Sequence, residues 1–513
     1  MEENQKVTIS KKERIKNLIS SLAENLQERE DIISIALLGS LIEESIFFYG
    51  PPGTGKSLIA RRISTAFHNQ KYFEYLMQKF STPDEIFGQV SISELKKDNY
   101  KRLTEGFLPT ATFAFLDEIW KSSPAILNTL LTILNERLFK NGKILENCPL
   151  KVIISASNEV PPKNQGLEAL YDRFLLRVPV FPIKDKNNFE ILLESNNVKT
   201  KTNIKNEYKI SPNEVEKWKN EINNIKLSKE TFNIIHILRT LLFEKAEELD
   251  IYVSDRRWKK VAFLLKASAF FCERKETNLS DLLLLKYCLW STNENREKIN
   301  TLIEDTIKEN SYVFETNLAT FDRKKEKVEK EVTNELYYTE DVYDTIIKND
   351  NEFFKILSSD YYNDEVEFFI DKKYIKTDKE FHPVDSNGNE LRNFKCNFKG
   401  TGSCEIKAIQ PGWNSSRTRD PFSPNILYYK GDKKRNVNKR LITSLNESAV
   451  KLIEDIENML KKLDSYKDKL KDEIDNPFVP KKDLLILLNS INNLVDDLKV
   501  RKVDCEKIKN LAK

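Results

Sequence analysis

Apolar residues along this chain recur at two periods, and the change from one to the other outlines its elements. From about Lys11 to Glu44 the period is helical: Ile15, Leu18, Ile19, Leu22 and Leu26 fall three or four apart. The run "IFFY" that follows is unbroken and ends abruptly at Gly50, as a strand buried on both faces of a parallel sheet would. Further runs of that kind are "ATFAFLDEI", "LKVIISASN" and "LLRVPVFP", and the helical pattern "SPAILNTLLTILNERL" separates the first two. Strands alternating with helices predict a parallel α/β sheet, in which ligands sit at the carboxyl ends of the strands. Between residues 86 and 107, "FGQVSISELKKDNYKRLTEG" predicts two short strands about a "KKDN" turn.

Beyond residue 187 the strand signals give way. "KETFNIIHILRTLLFEKAEEL", "RRWKKVAFLLKASAFF" and "LSDLLLLKYCLW" predict a helical subdomain to about Asn293, and charged helical stretches continue to Lys348. From Asn351 to Arg435 the chain is rich in Phe, Tyr, Gly and Asn. There "VEFFIDKKYIK" alternates and "DSNGNE" and "FKGTGSCEIKAIQPGW" carry turn signals, so a small β module is expected. Helix returns in "SLNESAVKLIEDIENMLKKLDSYKDKLKDEI", where Ser444 and Glu447 have the spacing of a capping box. Leu445, Leu452, Ile456, Leu460, Leu463 and Leu470 form one stripe along it. After the breaker "NPFVP", "LLILLNSINNLVDDL" predicts a second helix and hence a hairpin. The stripe is expected to pack against the helices of residues 296–348, which makes the β module an insertion in a helical bundle.

Composition narrows the function classes. A length of 513 residues implies roughly two to four domains. The balance of 83 basic against 80 acidic residues leaves +3, too little for a nucleic-acid footprint, and no specific nucleic-acid partner is expected. Six scattered cysteines lack the short paired spacing of a zinc site and read as reduced thiols. "MEENQKVTISKKER" has no apolar core of a signal peptide, and "IISIALLGSLI" is too short to span a bilayer. A soluble, cytoplasmic protein that is not integral to a membrane is the expectation.

The chemistry lies where the apolar runs break. Gly50, Gly55, Lys56 and Ser57 in "GPPGTGKS", between a strand and the helical "LIARRISTAF", have the spacing of a phosphate-binding loop. Its bare backbone N–H groups and the helix N-terminus would face phosphate oxygens, Lys56 would reach the β- and γ-phosphates, and Ser57 would ligate magnesium. Asp117, at the end of "FAFL", is placed for the magnesium-associated water, and Glu118 for orienting or deprotonating the attacking water. Asn158 could polarise that water or touch the γ-phosphate, or simply be a turn residue. Arg173 in "ALYDRFLLR" could pair with Asp172, and local chemistry leaves its role open. Arg256 in "VSDRRWKK" would sit in a first helical turn capped by Ser254, where positive charge opposes the helix dipole unless a ligand phosphate compensates it.

Together "GPPGTGKS", "FSTPDEIFG", "GFLPTATFAFLDEIWKSSPAILNTLLTILNER", "ISASNEVP" and "ALYDRFLLRVPV" resemble the MoxR branch of the AAA+ ATPases, and "VSDRRWKKVAFLLKASAFF" resembles its RavA subfamily. The resemblance spans about residues 11–295. It implies an ATPase holding ATP and Mg2+ in a loop of Gly50, Pro51, Pro52, Gly53, Thr54, Gly55, Lys56, Ser57 and Leu58, with Asp117 and Glu118 as Walker B. It makes Asn158 sensor 1, Arg173 the arginine finger and Arg256 sensor 2, with Arg257 the second choice. The implied architecture is an α/β AAA+ domain (1–186), a helical lid (187–295) and a discontinuous helical bundle (296–350 and 436–513) carrying a small barrel-like β domain (351–435). The implied partners are a homo-hexameric ring, a von Willebrand factor A domain protein and a protein client, with the 86–107 segment facing the pore or partner, or a solvated hairpin. A chaperone-like remodelling or maturation role follows, and a nucleotide-gated assembly scaffold is the alternative.

Overall fold

The computed structural model describes residues 9–161, 166–194, 202, 204–310, 318–356, 367–375, 377–399, 403–409, 426, 428–473 and 475–513. They fall into two units, Met1–Asn317 with Met459–Asp497, and Leu318–Asn458 with Leu498–Lys513.

In the first unit, Ser10 caps α1 (Lys11–Ala23), whose Ile15, Leu18, Ile19 and Leu22 are buried, and α2 (Glu30–Leu41) is buried from Ile33 onward. Then follow β1 (Ser45–Tyr49), α3 (Lys56–Thr65), β2 (Tyr72–Leu76), α4 (Pro83–Phe87), α5 (Ile92–Leu95), β3 (Phe113–Asp117), α6 (Pro124–Glu136), β4 (Leu138–Asn141), β5 (Ile144–Asn147), β6 (Val152–Ser157), α7 (Glu168–Tyr171) and β7 (Phe174–Pro179). Among the described residues the main sheet has the order β2-β3-β6-β1-β7, parallel throughout. Phe47, Phe115, Ile153 and Phe174 are almost wholly buried, as unbroken apolar strands covered by helices on both faces require.

β2 is a strand the apolar pattern does not reveal: "YFEYL" is a short edge strand with Glu74 among its aromatics. The 86–107 segment departs from its two predicted strands. Ser91 Oγ accepts from Glu94 N and starts the one-turn α5, and a single bridge joins Val90 to Arg102. A local cap has won over strand alternation. The segment is tied to the β4–β5 hairpin through Asn141, whose Oδ1 accepts from Arg102 N (2.7 Å) and whose Nδ2 donates to Arg102 O (3.1 Å). Ile92, Leu95, Ile144 and Leu145 are exposed on these two projections.

Helices α8 (Lys186–Glu194), α9 (Pro212–Asn223), α10 (Lys229–Glu244), α11 (Ala246–Leu249), α12 (Asp255–Phe271), α13 (Leu279–Leu282) and α14 (Asn293–Asn310) complete the chain to residue 310. Lys219 pairs with Glu43 and Lys260 with Glu44, fixing α9 and α12 beside the start of β1. The expected lid boundary at 295 falls inside α14. From the C-terminal part, Asn476 Nδ2 donates to Ser268 Oγ (2.8 Å) and Asp281 Oδ1 (3.1 Å), and Phe478 lies edge-on to Phe271. Among the described residues no helix is long and apolar enough to cross a membrane.

In the second unit α15 (Leu318–Leu336) runs directly into β8 (Tyr337–Tyr343). β9 (Thr345–Lys348), β10 (Asn351–Ile356), β11 (Phe368–Asp371), β12 (Phe394–Phe398), β13 (Cys404–Ala408) and β14 (Tyr428–Lys434) follow, then α16 (Lys439–Glu473) and α17 (Lys481–Leu511), which contribute to both units. The β module therefore starts at Tyr337, ahead of the expected residue 351. Asn351 lies just past a two-residue turn, with Asn349 and Asp350 both left-handed, inside the β9–β10 hairpin. No glycine or proline separates α15 from β8, so composition misplaces the border. The capping box at Ser444 does not form: α16 begins at Lys439, and Asn438 Oδ1 accepts from Arg440 N. Of the stripe, Leu445 packs with Ala449 against Val332 and Leu336 of α15 and against Ile508 of α17. The turns at "FKGTG" and "QPGW" and the side chain of Leu470 lie outside the described residues.

Candidate active site

The loop after β1 is shaped by its glycines. At Gly50 (φ 155°) a Cβ would stand 2.0 Å from Val180 O, so only glycine lets β1 pass β7 there. Gly53 and Gly55 are left-handed (φ 78° and 86°), and a Cβ on either would meet nothing within 4 Å among the described residues. Gly55 gives α3 no side-chain cap, which leaves first-turn N–H groups for an anion. Thr54 Oγ1 donates to Pro51 O (3.0 Å), closing the loop on itself. Lys56 Nζ donates to Gly50 O (2.7 Å) and Pro51 O (2.9 Å). Burial pushes this amine down, while the charges of Asp117 and Glu118 oppose the shift.

Sequence reasoning missed Arg29. Its buried guanidinium donates to Thr54 O (3.2 Å) and Phe181 O (2.9 Å), bracing the loop against the segment after β7. No local signal marks it, since these two acceptors are remote backbone carbonyls and the third, Glu28 O (3.0 Å), is one any arginine could reach. A cavity of about 550 Å³ opens beside it, with Ile32, Phe181, Trp290 and Asn300 in its walls.

Asp117 ends β3, and its Oδ1 accepts from Glu118 N (3.0 Å). Burial raises the Asp117 carboxyl above its ordinary range, against the pull of that N–H and of Lys56. Glu118 is left-handed (φ 51°), a conformation costing a residue with a side chain about 1 kcal/mol or more. Its Oε2 is buried without an aligned hydrogen bond among the described residues, although Lys121 Nζ lies 3.3 Å away. Gly50 N donates to Ser157 O (3.1 Å), so the exposed Asn158 follows directly beside the loop. Lys56, Ser57, Asp117, Glu118 and Asn158 are thus gathered at the carboxyl ends of the adjacent strands β3, β6 and β1. The residues fit a magnesium nucleotide. Ser57 and Asp117 supply hard oxygen donors, and the uncapped first turn of α3 leaves N–H groups for phosphates.

The arginines are elsewhere. β7 runs parallel to β1 with Ser45 opposite Phe174 and Tyr49 opposite Pro179. Arg173 therefore lies at the amino end of the sheet, about 16 Å along the strands from Gly50 and beyond the reach of its side chain. Its Nε donates to Asn135 Oδ1. Arg256 Nη2 stands 3.0 Å from Asp172 Oδ2, and burial together with the Arg256 charge pushes Arg173 down. Arg256 stays partly exposed beside Arg173, not beside Lys56. Arg257 is only 2% exposed: its guanidinium donates to Cys288 O, Asp172 O, Phe174 O and Leu175 O. Burial and the neighbouring Arg177 push it down to about 9. Arg177, also missed, is buried and donates to Trp290 O and to Tyr171 O (3.3 Å).

Two family profiles match the chain: "MoxR domain in the MoxR-vWA-beta-propeller ternary systems" over residues 13–220, and "AAA lid domain" over residues 230–303. An uncharacterized protein of Methanocaldococcus jannaschii is 37% identical over 315 residues, 61% of this chain and 77% of that protein. A second from the same organism is 38% identical over 281 residues, 54% of this chain and 71% of its own length. A structural protein of Acidianus two-tailed virus is 30% identical over 177 residues, 32% of this chain and 28% of its own.

Proposed function

The chain belongs to the MoxR family of AAA+ ATPases, and from that membership we propose that it hydrolyses ATP in a ring whose active sites are completed between subunits. The observation that carries this reading is the division of the site. The glycine loop, Asp117, Glu118 and Asn158 share one end of the sheet, while Arg173 and Arg256 share the other. A subunit with both sets, unable to join them internally, can join them to those of a neighbour, and closed rings are the ordinary outcome of such head-to-tail contacts.

The roles follow from placement. The loop N–H groups and Lys56 hold the β- and γ-phosphates, and the cavity beside Arg29 has room for the nucleoside. Ser57 and Asp117 would hold a magnesium ion, which would neutralise phosphate charge. Glu118 takes the proton of the water whose oxygen bonds the γ-phosphorus as the bond to the ADP oxygen breaks, and Asn158 orients that water. Arg173 of one subunit meets the charge developing on the neighbour's phosphoryl group, with Arg256 beside it. The exposed Ile92, Leu95, Ile144 and Leu145 support a protein client, and the systems named in the matching profile support a von Willebrand factor A domain partner.

The test mixes two inactive variants, Arg173→Ala and Lys56→Ala. Mixed rings regain interfaces with an intact loop and an intact arginine, so ATPase activity should return. Mixtures as inactive as their parents, with mixed rings demonstrated by size, would rule out the shared site.

A further inference from the structure

We infer that Arg257 positions the Arg173 guanidinium by clamping the backbone on both sides of it, without touching nucleotide. The inference rests on the shared-site reading above. Three of the four carbonyls that Arg257 binds belong to Asp172 (3.2 Å), Phe174 (3.1 Å) and Leu175 (2.8 Å), so the contacts bracket residue 173; the fourth, Cys288, anchors the same guanidinium to the helical lid.

A second observation points the same way. β7 pairs with β1 in a register that slips at its start: Ser45 opposes Phe174, but Ile46 opposes Leu176, leaving Leu175 as an extra residue. Such a bulge bends the strand and re-aims the residues before it, and it strands backbone groups that need partners. Arg257 supplies those partners. The bulge and the guanidinium together set the direction in which the chain presents Arg173. With Nε, Nη1 and Nη2 all spent on carbonyls, the Arg257 guanidinium has no fork left for a phosphate, whereas the neighbouring Arg256 stays partly exposed. Lysine cannot substitute: a single ammonium reaches carbonyls from one point and cannot hold three that are spread over four residues.

The experiment uses the full-length protein and the variants Arg257→Lys and Arg257→Gln, with ATP affinity, kcat and complementation as readouts. ATP should bind within about threefold of wild type, because the glycine loop is at the other end of the sheet, while kcat should fall roughly 10²-fold, the effect of displacing a catalytic group by about 1 Å. In an Arg173→Ala background, Arg257→Lys should cause no further loss of kcat, since a residue that acts only through Arg173 has nothing left to act on. Mixing Arg257→Lys with Lys56→Ala should restore activity as far as mixing Arg173→Ala with Lys56→Ala does. An undiminished loss in the Arg173→Ala background, a matching loss of ATP affinity, or collapse of both variants into unfolded protein would each overturn the inference and leave Arg257 a core residue. Failure of the Arg173→Ala mixture itself would instead overturn the shared site.

Discussion

Lys56 and Glu118 serve different moments of the reaction, and substitution should separate them. Lys56→Ala is expected to abolish ATP binding. Glu118→Gln should keep it and lose about 10²–10⁴-fold in kcat, because the amide cannot take the proton from water. Equilibrium nucleotide binding beside single-turnover hydrolysis checks both. The glycines of the loop should divide as sharply. Gly50→Ala places a methyl 2.0 Å from Val180 O and should disrupt the seam of β1 and β7 by more than about 2 kcal/mol, with ATP binding lost. Gly53→Ala meets no neighbour and carries only the left-handed penalty of about 1–2 kcal/mol, so thermal unfolding should rank the two. The gathering of Lys56, Ser57, Asp117 and Glu118 at one end of the sheet was legible because each follows an apolar strand at short spacing. Arg29 was not, because it acts 25 residues from Thr54 and 152 from Phe181. That Arg257 is buried while Arg256 stays partly exposed is something two adjacent identical residues do not reveal.

At the scale of elements, the β module should be separable. Arg435 N donates to Leu336 O at 2.7 Å, so the two ends of the module meet at its base. Replacing residues 337–434 by a short Gly-Ser linker should leave a folded protein with ATPase activity within about twofold of wild type, because no residue of the glycine-loop set lies in the module. The expected border at 351 would instead cut the β9–β10 hairpin and leave β8 without β14, and that deletion should be the less stable of the two by thermal unfolding. Asn141→Ala should cost about 1–3 kcal/mol by orphaning Arg102 N and Arg102 O, and limited proteolysis should then cut the 92–103 segment faster at unchanged basal hydrolysis. Buried strands and amphipathic helices were readable from period alone. Elements decided by a single cap, such as α5 and the start of α16, were not, since a few local hydrogen bonds there outweigh the pattern, and the edge strand β2 was hidden because it is only partly buried and its pairing is with the remote β3.

For the whole molecule, the five residues of β1 that part the glycine loop from the amino end of the sheet have a consequence for inheritance of defects. If loop and arginine must come from different copies, the border between copies, not the copy, is the unit of activity. A subunit carrying only Lys56→Ala silences one border and still serves the other, whereas one carrying Lys56→Ala and Arg173→Ala together silences both. Doped at equal parts into wild type with random mixing, the first should leave roughly half of the borders intact and the second roughly a quarter. Activity plotted against dose should therefore fall along a straight line for the single variant and along a square law for the double one, and identical curves for the two would return the arginine to its own subunit.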